Sequence, residues 1–257
     1  MKIKANGISM NYEIKGKGPN LVLIHGAGDN LNMWYHQVPF FSKSYRVISY
    51  DVRGFGQTDS PAMEYSMSLF GEDTYQLMKA LGVAEGYFLG YSMGGRIALE
   101  LAINHPEMVK TLILANSSIG LTPPSPESVE RRRVTLELLE KGDMEKTAEM
   151  MTTNAFSPDF KSKNRSEFNR YMKVKLQNKP SGFALVMRAL SAPPDISKVK
   201  CPVLLVVGDK DLSMGVEQGK QAQAAIPGAK LVILPTGHAA AVESPDKFNQ
   251  AVAEFLS

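Results

Sequence analysis

Short, uniformly apolar runs separated by helical stretches constrain this chain more than any other feature. After Gly18-Pro19 the runs "NLVLIHG", "YRVISYD", "GYFLGYS" and "VKTLILAN" follow one another, with helix-forming sequence between them. A run that is apolar at every position, rather than at alternate ones, suits a strand covered on both faces. A helix between successive strands is the connection that parallel pairing requires. The predicted fold class is therefore α/β, with a mostly parallel central sheet and helices on both faces.

The other elements fit around that sheet. The opening segment "KIKANGISMNYEIKG" alternates in polarity around Asn6-Gly7, a two-residue hairpin signal. Helices are predicted near Met33 to Phe41, from about Ser68 to Leu81, and over "MGGRIALELAINH". From about Ile119 to Lys200 the strand rhythm stops. There, Ser125 before Pro126 starts a helix that Gly142 closes, and Asp143 caps a second that runs to about Thr153. A third spans roughly Ser166 to Asn178, and a fourth, capped by Ser181, stops before Pro193-Pro194. The sheet then resumes with "CPVLLVVGD", a helix near Val216 to Ile226, "AKLVILP", and a closing helix from Pro245 to Leu256. The expected organisation is a core built from residues 1–118 and 201–257, interrupted by a helical insertion at 119–200.

Composition narrows the classes of partner. With 257 residues, 44% hydrophobic and 21% charged, the chain is long enough for one large domain with a well-filled core. The formal charge is +3, and residues 121–195 hold 13 Lys plus Arg against 10 Asp plus Glu, so this segment carries the whole excess. Solvated helix faces are one reading of that bias, and a preference for anionic ligands is the other. Arg131 to Arg133 lie in a helical pattern without interleaved aromatics, so no nucleic-acid partner is expected. No apolar run approaches the roughly 20 residues of a membrane span. The single cysteine, Cys201, forms no internal disulfide, and "KIKANG" lacks the apolar core of a signal segment, so a cytoplasmic location is expected.

One pentapeptide carries chemistry. Gly90-Tyr91-Ser92-Met93-Gly94 fits G-x-S-x-G where a predicted strand meets a predicted helix. A sharp turn there exposes the Ser92 hydroxyl at a helix N-terminus, whose dipole favours developing negative charge. A serine hydroxyl is a weak nucleophile at neutral pH and needs a base, itself oriented by a carboxylate. Of the four histidines, His238 lies in a loop just after the last predicted strand, on the same sheet edge as Ser92, and is the candidate base. His25, His36 and His105 occupy a strand end, a helix and a helix end. No carboxylate follows "TLILAN", where Asn116, Ser117 and Ser118 stand. Two follow "VLLVVG": Asp211 can turn back toward the histidine loop, whereas Asp209, beside the strand end, is expected to make turn hydrogen bonds. Backbone N–H groups of Met93 and of Ala27 in "HGAGDN" are the candidate donors for an oxyanion, leaving His25 and Gly26 with structural roles.

The segments "HGAG", "DVRGFGQTD", "GYSMGG", "GDKD" and "GHAAAVESP" together resemble the α/β-hydrolase superfamily, in that family's order and over nearly the whole chain outside the insertion. The resemblance implies an α/β-hydrolase fold, a serine nucleophile, and a cap over the pocket at 119–200. The layout from "LLEKGDMEK" through "NAFSPDF" to "ALSAPPDISKVKCPVLLVVGD" is similar to the caps of carboxylesterases and 3-oxoadipate enol-lactonases.

A serine at the turn disfavours aspartate-nucleophile chemistry. A small carboxylic ester or lactone is the expected substrate, cleaved through an acyl-enzyme. C–C bond hydrolysis, cofactor-free haloperoxidase or perhydrolase chemistry, and a ligand receptor that keeps the three residues are the alternatives. No metal or organic cofactor is expected, since no spacing such as HExxH occurs. Trp34, Tyr35, Tyr91, Met151 and Met187 are candidate substrate contacts. Met144, Met150, Met172, Phe156, Phe160, Phe168 and Phe183 are further apolar residues of the insertion, available for the pocket or for packing.

Overall fold

The strands β1 (Lys2–Ala5), β2 (Ile8–Lys15), β3 (Asn20–Ile24), β4 (Arg46–Tyr50), β5 (Gly86–Tyr91), β6 (Val109–Ala115), β7 (Val203–Gly208) and β8 (Lys230–Leu234) are ordered by the apolar runs read above. In the computed structural model, which describes residues 1–121, 123, 125–189 and 191–257, they form one eight-stranded sheet in the order β1-β2-β4-β3-β5-β6-β7-β8. From β4 to β8 every pairing is parallel, while β1 with β2 and β2 with β4 are antiparallel. Asn6 (φ 45°) and Gly7 (φ 78°) both adopt the positive φ of a tight hairpin turn, as their pairing in sequence predicts.

The reason the runs are apolar throughout is visible in their burial. Leu21 and Leu23 of β3 pack with Val47, Leu89 and Ile113 on one face of the sheet. Val22 and Ile24, the residues between and beyond, pack with Ile48, Phe88 and Leu112 on the other. Each fully buried aliphatic side chain contributes about 1.5–3 kcal/mol, so both faces are needed to hold the sheet.

The helices are α1 (Gln37–Phe41), α2 (Met67–Ala80), α3 (Met93–Asn104), α4 (Pro126–Glu140), α5 (Met144–Ala155), α6 (Phe160–Lys163), α7 (Arg165–Leu176), α8 (Pro180–Met187), α9 (Val216–Ala225), α10 (Ala240–Glu243) and α11 (Pro245–Leu256). Helices α4 to α8 lie between β6 and β7 in sequence. Ser125 caps α4 by accepting from the Ser128 N–H, and Asp143 caps α5 by accepting from the Lys146 N–H, both as the sequence predicts. No helix of the described residues is long and apolar enough to cross a membrane.

Two predicted helices are corrected. The stretch from Met33 to Phe41 is a 3-10 turn, Leu31–Trp34, followed by the five-residue α1. Pro39 explains the break: inside one continuous helix it would lack an N–H and clash with the Tyr35 carbonyl, whereas in α1 it falls in the first turn. Ser181 is not the cap of α8. Pro180 takes the first helical position, which its fixed φ favours, so Ser181 lies inside the first turn and α8 ends at Met187.

Parallel strands place their carboxyl ends on one edge. β3 lies between β4 and β5, so the chain leaves β3 to one side and returns to pair on the other, and a crevice opens at that reversal. The loops after β3, β5, β6, β7 and β8 all meet there.

Candidate active site

Ser92 follows β5 directly and has φ 52° and ψ −117°. Such a backbone costs a non-glycine residue about 1–3 kcal/mol and persists only where its surroundings impose it. Here the Ser92 N–H donates to the Ala115 carbonyl at 2.9 Å, and the Gly95 N–H donates to the Ser92 carbonyl at 3.1 Å. The flanking glycines are required by contact. A Cβ on Gly90 would lie 2.2 Å from the Gly94 carbonyl oxygen, and one on Gly94 would lie 2.1 Å from that of Ile24. The G-x-S-x-G spacing is thus the spacing at which helix α3 presses against β5 and β3.

His238 stands in the loop after β8, with its Nε2 2.9 Å from Ser92 Oγ and its Nδ1 2.8 Å from Asp211 Oδ2. Asp211 is buried in the loop after β7. Its Oδ1 accepts backbone N–H groups of Ser213 (2.8 Å) and Met214 (3.0 Å), and its Oδ2 also accepts from Asn116 Nδ2 (3.0 Å). Burial alone would raise this carboxyl, but the His238 ring and the hydrogen bonds from His238, Asn116 and Ser213 outweigh it and hold the pKa at about 2. An ionised Asp211 accepts the Nδ1–H, which leaves Nε2 free to accept the Ser92 proton. Hydroxyl, imidazole and carboxylate in that series are able to generate an alkoxide equivalent at neutral pH. Asp209 is exposed, and its backbone N–H bonds the Leu234 carbonyl at 2.9 Å.

Ala27 and Met93 both border the cavity beside Ser92. Met93 opens α3, where the first amides have no acceptor within the helix. His25 is fully buried and takes no part in that cavity's lining. Its Nδ1 lies 2.8 Å from the Gly26 carbonyl and its Nε2 accepts the Val52 N–H at 2.9 Å, which fixes a neutral ring, and burial pushes its pKa down. Gly26 leaves room for the Tyr91 ring, 2.9 Å from where a Cβ would stand.

The cavity encloses about 480 Å³ between the carboxyl edge of the sheet and helices α4, α5 and α8. Tyr91, Met151 and Met187 border it, as does Met150. Trp34 does not: it is fully buried in the core with Leu21 and Phe41, because the tight turn capped by Asn30 directs it inward. Tyr35 lies under the Arg170 guanidinium, 3.7 Å from its ring centroid, and also stays out of the lining. The phenylalanines pack the helices instead. Phe156 stacks on Phe160 at 4.2 Å and meets Phe168 at 6.1 Å, while Phe183 meets Phe55 at 5.1 Å. Met144 packs against one core and Met172 against the other.

Three features of the site had no signal in the sequence reading. Asn116, whose backbone has φ 48°, donates to Asp211 across 95 residues of sequence. Asp51 accepts from Leu31 N–H, Gln57 N–H and Asn11 Nδ2, each at 2.8 Å, and so ties the loop after β4 to the Leu31–Trp34 turn and to β2. The loop after β3 is also strapped to α7 and the turn that ends it, where Lys175 Nζ meets Asp29 at 2.6 Å and Asn178 Nδ2 donates to the Gly28 carbonyl at 2.8 Å. Among the described residues no group of three or more His, Cys, Asp or Glu is arranged to hold a metal. Cys201, beyond the opposite end of β7, has its thiol pushed up to about 11 by burial.

With this geometry in place, the comparisons with known proteins are specific. The family model for the alpha/beta hydrolase fold matches residues 19–143. The chain is 28% identical over 259 residues to 3-oxoadipate enol-lactonase 2 of Acinetobacter baylyi, covering 99% of this chain and 95% of that protein. The enol-lactonase structure from Burkholderia xenovorans superimposes with a TM-score of 0.91 at 29% identity, covering 100% of this chain and 99% of that one. A thermophilic esterase of Thermogutta terrifontis, solved with malate bound, gives 0.90 at 27% identity, with 100% and 97% covered. The chain has the α/β-hydrolase fold. Its sheet order and helix placement are those of that fold, and the relatives it resembles over its whole length are hydrolases.

Proposed function

We propose that the protein is a serine hydrolase that cleaves a small carboxylic ester or lactone through an acyl-enzyme intermediate. The observation that carries this reading is the hydrogen-bonded series Ser92 Oγ, His238 and Asp211, at 2.9 and 2.8 Å, bordering a cavity large enough for a small organic substrate. Similarity to enol-lactonases and to an esterase supports the substrate class.

In this mechanism His238 Nε2 takes the Ser92 proton as Oγ attacks the carbonyl carbon. The C=O π pair moves to oxygen, where the N–H groups of Ala27 and Met93 receive the negative charge. Collapse re-forms the C=O bond and breaks the bond to the leaving oxygen, which takes the proton from His238. Water then attacks the acyl carbon with His238 again accepting a proton, and the second collapse returns that proton to Ser92 and frees the acid. Asp211 stays ionised throughout and stabilises the imidazolium. Helices α4 to α8, within residues 119–200, act as the cap that excludes bulk water from these steps. Residues 1–118 and 201–257 supply the core.

The test is hydrolysis of p-nitrophenyl esters of increasing acyl length by wild type and Ser92→Ala, with active-site labelling by a fluorophosphonate. Ser92-dependent labelling and turnover are the expected result. Equal turnover by the variant would sink the reading.

A further inference from the structure

The wall that α4 gives the cavity is chemically unlike the others. Ser128, Arg131, Arg132 and Thr135 are spaced as one helix face, and all four border the cavity. A helix turns a mostly apolar face to a cavity in the ordinary case, as α8 does with Val186 and Met187 and α5 with Met150, Met151 and Ala155 beside the single amide of Asn154. Among the described residues no Asp or Glu borders this cavity, whereas four cations do: Arg96, Arg131, Arg132 and Lys175.

Three of these cations are committed elsewhere. Lys175 is paired with Asp29 at 2.6 Å. Arg96 meets Glu100 at 3.2 Å and donates to the Ile119 and Ala192 carbonyls. Arg132 donates to the carbonyls of Met187 and Ala189. Arg131 is different. It is half-buried, and its guanidinium donates to the neutral Ser128 Oγ at 2.9 Å, with no carboxylate in ion-pair contact among the described residues. Glu127, one turn earlier, feels the Arg131 charge at a distance, but it is exposed, makes no ion-pair contact among the described residues and stays out of the lining. A guanidinium carries five N–H donors in a planar fork that matches a carboxylate, and the bond to Ser128 uses one of them on a residue that borders the cavity.

We propose that Arg131 is an anion anchor, and that the substrate carries a carboxylate at some distance from the carbonyl that Ser92 attacks. This rests on the ester or lactone reading and names the class within it. The methionine walls of α5 and α8 hold the carbon chain between the two ends. Ser128 fixes the fork in orientation, so the anion is met by a positioned donor rather than by a mobile surface charge. The same assignment gives a purpose to the positive excess of residues 121–195.

The test uses Ser92→Ala protein, so that binding is read without turnover. Calorimetry compares monomethyl glutarate with its neutral amide, methyl glutaramate, and butanoylglycolate with its amide, which places the charge on the acyl side or on the alcohol side. In at least one pair the anion is expected to bind about ten- to a hundredfold more tightly, the worth of one charge-assisted hydrogen-bonded contact. That preference is expected to weaken with added salt, to fall to about twofold or less in Ser92→Ala/Arg131→Gln, and to survive in part in Ser92→Ala/Arg131→Lys. Equal or absent binding of the two members of both pairs overturns the anchor, and so does a preference that persists in Arg131→Gln. Wild-type turnover of the same esters reports separately on the hydrolase reading. Charge-selective binding without turnover defeats that reading and leaves the anchor, while turnover without charge preference does the reverse.

Discussion

Lys175 Nζ lies 2.6 Å from Asp29 Oδ1, and both side chains are buried, at 3% and 1% exposure. Asp29 belongs to the loop after β3 that carries Ala27, and Lys175 belongs to α7. Tyr171 donates its hydroxyl to the other Asp29 oxygen at 2.9 Å. A charge pair therefore joins the loop after β3 to α7 across the interior. Withdrawing two ions from water costs several kcal/mol each, which their attraction and the extra hydrogen bonds offset. Such a buried pair favours the docking of α7 in which both charges are satisfied.

Removing one partner is the sharp test. Lys175→Met strands the Asp29 carboxylate and is expected to destabilise the fold by about 3–5 kcal/mol. Asp29→Asn combined with Lys175→Met removes both charges and is expected to recover most of that loss. Urea denaturation of the two variants checks this, and a single-variant cost below about 1 kcal/mol would mean the pair is solvated.

Ser92→Ala is expected to lower kcat/KM for a p-nitrophenyl ester by about three to six orders of magnitude and to abolish fluorophosphonate labelling. The fold persists, because alanine needs no new space. Relief of an unusual backbone is not part of the change, since alanine keeps its Cβ. Circular dichroism and the urea midpoint are expected to match wild type, so a variant that unfolds would void the kinetic reading.

Asp211→Asn, Asn116→Ala and Asp209→Asn are expected to rank in that order of damage to kcat/KM. The first removes the charge that faces His238 Nδ1 and presents an amide in its place, with an expected loss of about three to four orders of magnitude. The second removes one hydrogen bond to Asp211, with a loss of about tenfold. The third alters an exposed side chain and is expected to stay within about twofold. If Asp209→Asn proved the most damaging, the wrong carboxylate would have been assigned.

Much of this arrangement is written in local sequence, because the interactions behind it are local. Apolar runs follow from burial of both strand faces, and Gly90 and Gly94 follow from contacts within a few residues of Ser92. The loop positions of Asp211 and His238 are legible as strand ends on one edge. What could not be read is what other parts of the chain decide. Trp34 turns inward because Asn30 caps a short turn and its Nδ2 bonds the Val174 carbonyl, 144 residues away. Lys175 sits in a charged helix that reads as a solvated face, yet it is buried against a residue 146 positions earlier. Asn116 gives no acid–base signal, and only the approach of β7 to β6 brings it to Asp211.

Asp211 also sets an acid limit on stability. Its carboxyl titrates at about 2 in the folded protein, lowered from 3.8. A carboxylate with a depressed folded pKa stabilises the fold at pH values above its unfolded pKa, where the contribution is complete. Between about pH 4 and pH 2 the unfolded chain takes up this proton while the folded one does not, so stability falls as pH falls, by about 2 kcal/mol for this group. Below about pH 2 both states are protonated and the contribution is gone. Urea midpoints at steps from pH 5 to pH 2 are expected to drop more steeply for wild type than for Asp211→Asn, which has no proton to bind at this position. Parallel profiles would mean that the carboxyl is not held by His238, Asn116 and the Ser213 amide in solution, although a carboxyl at its ordinary pKa would still be ionised at neutral pH.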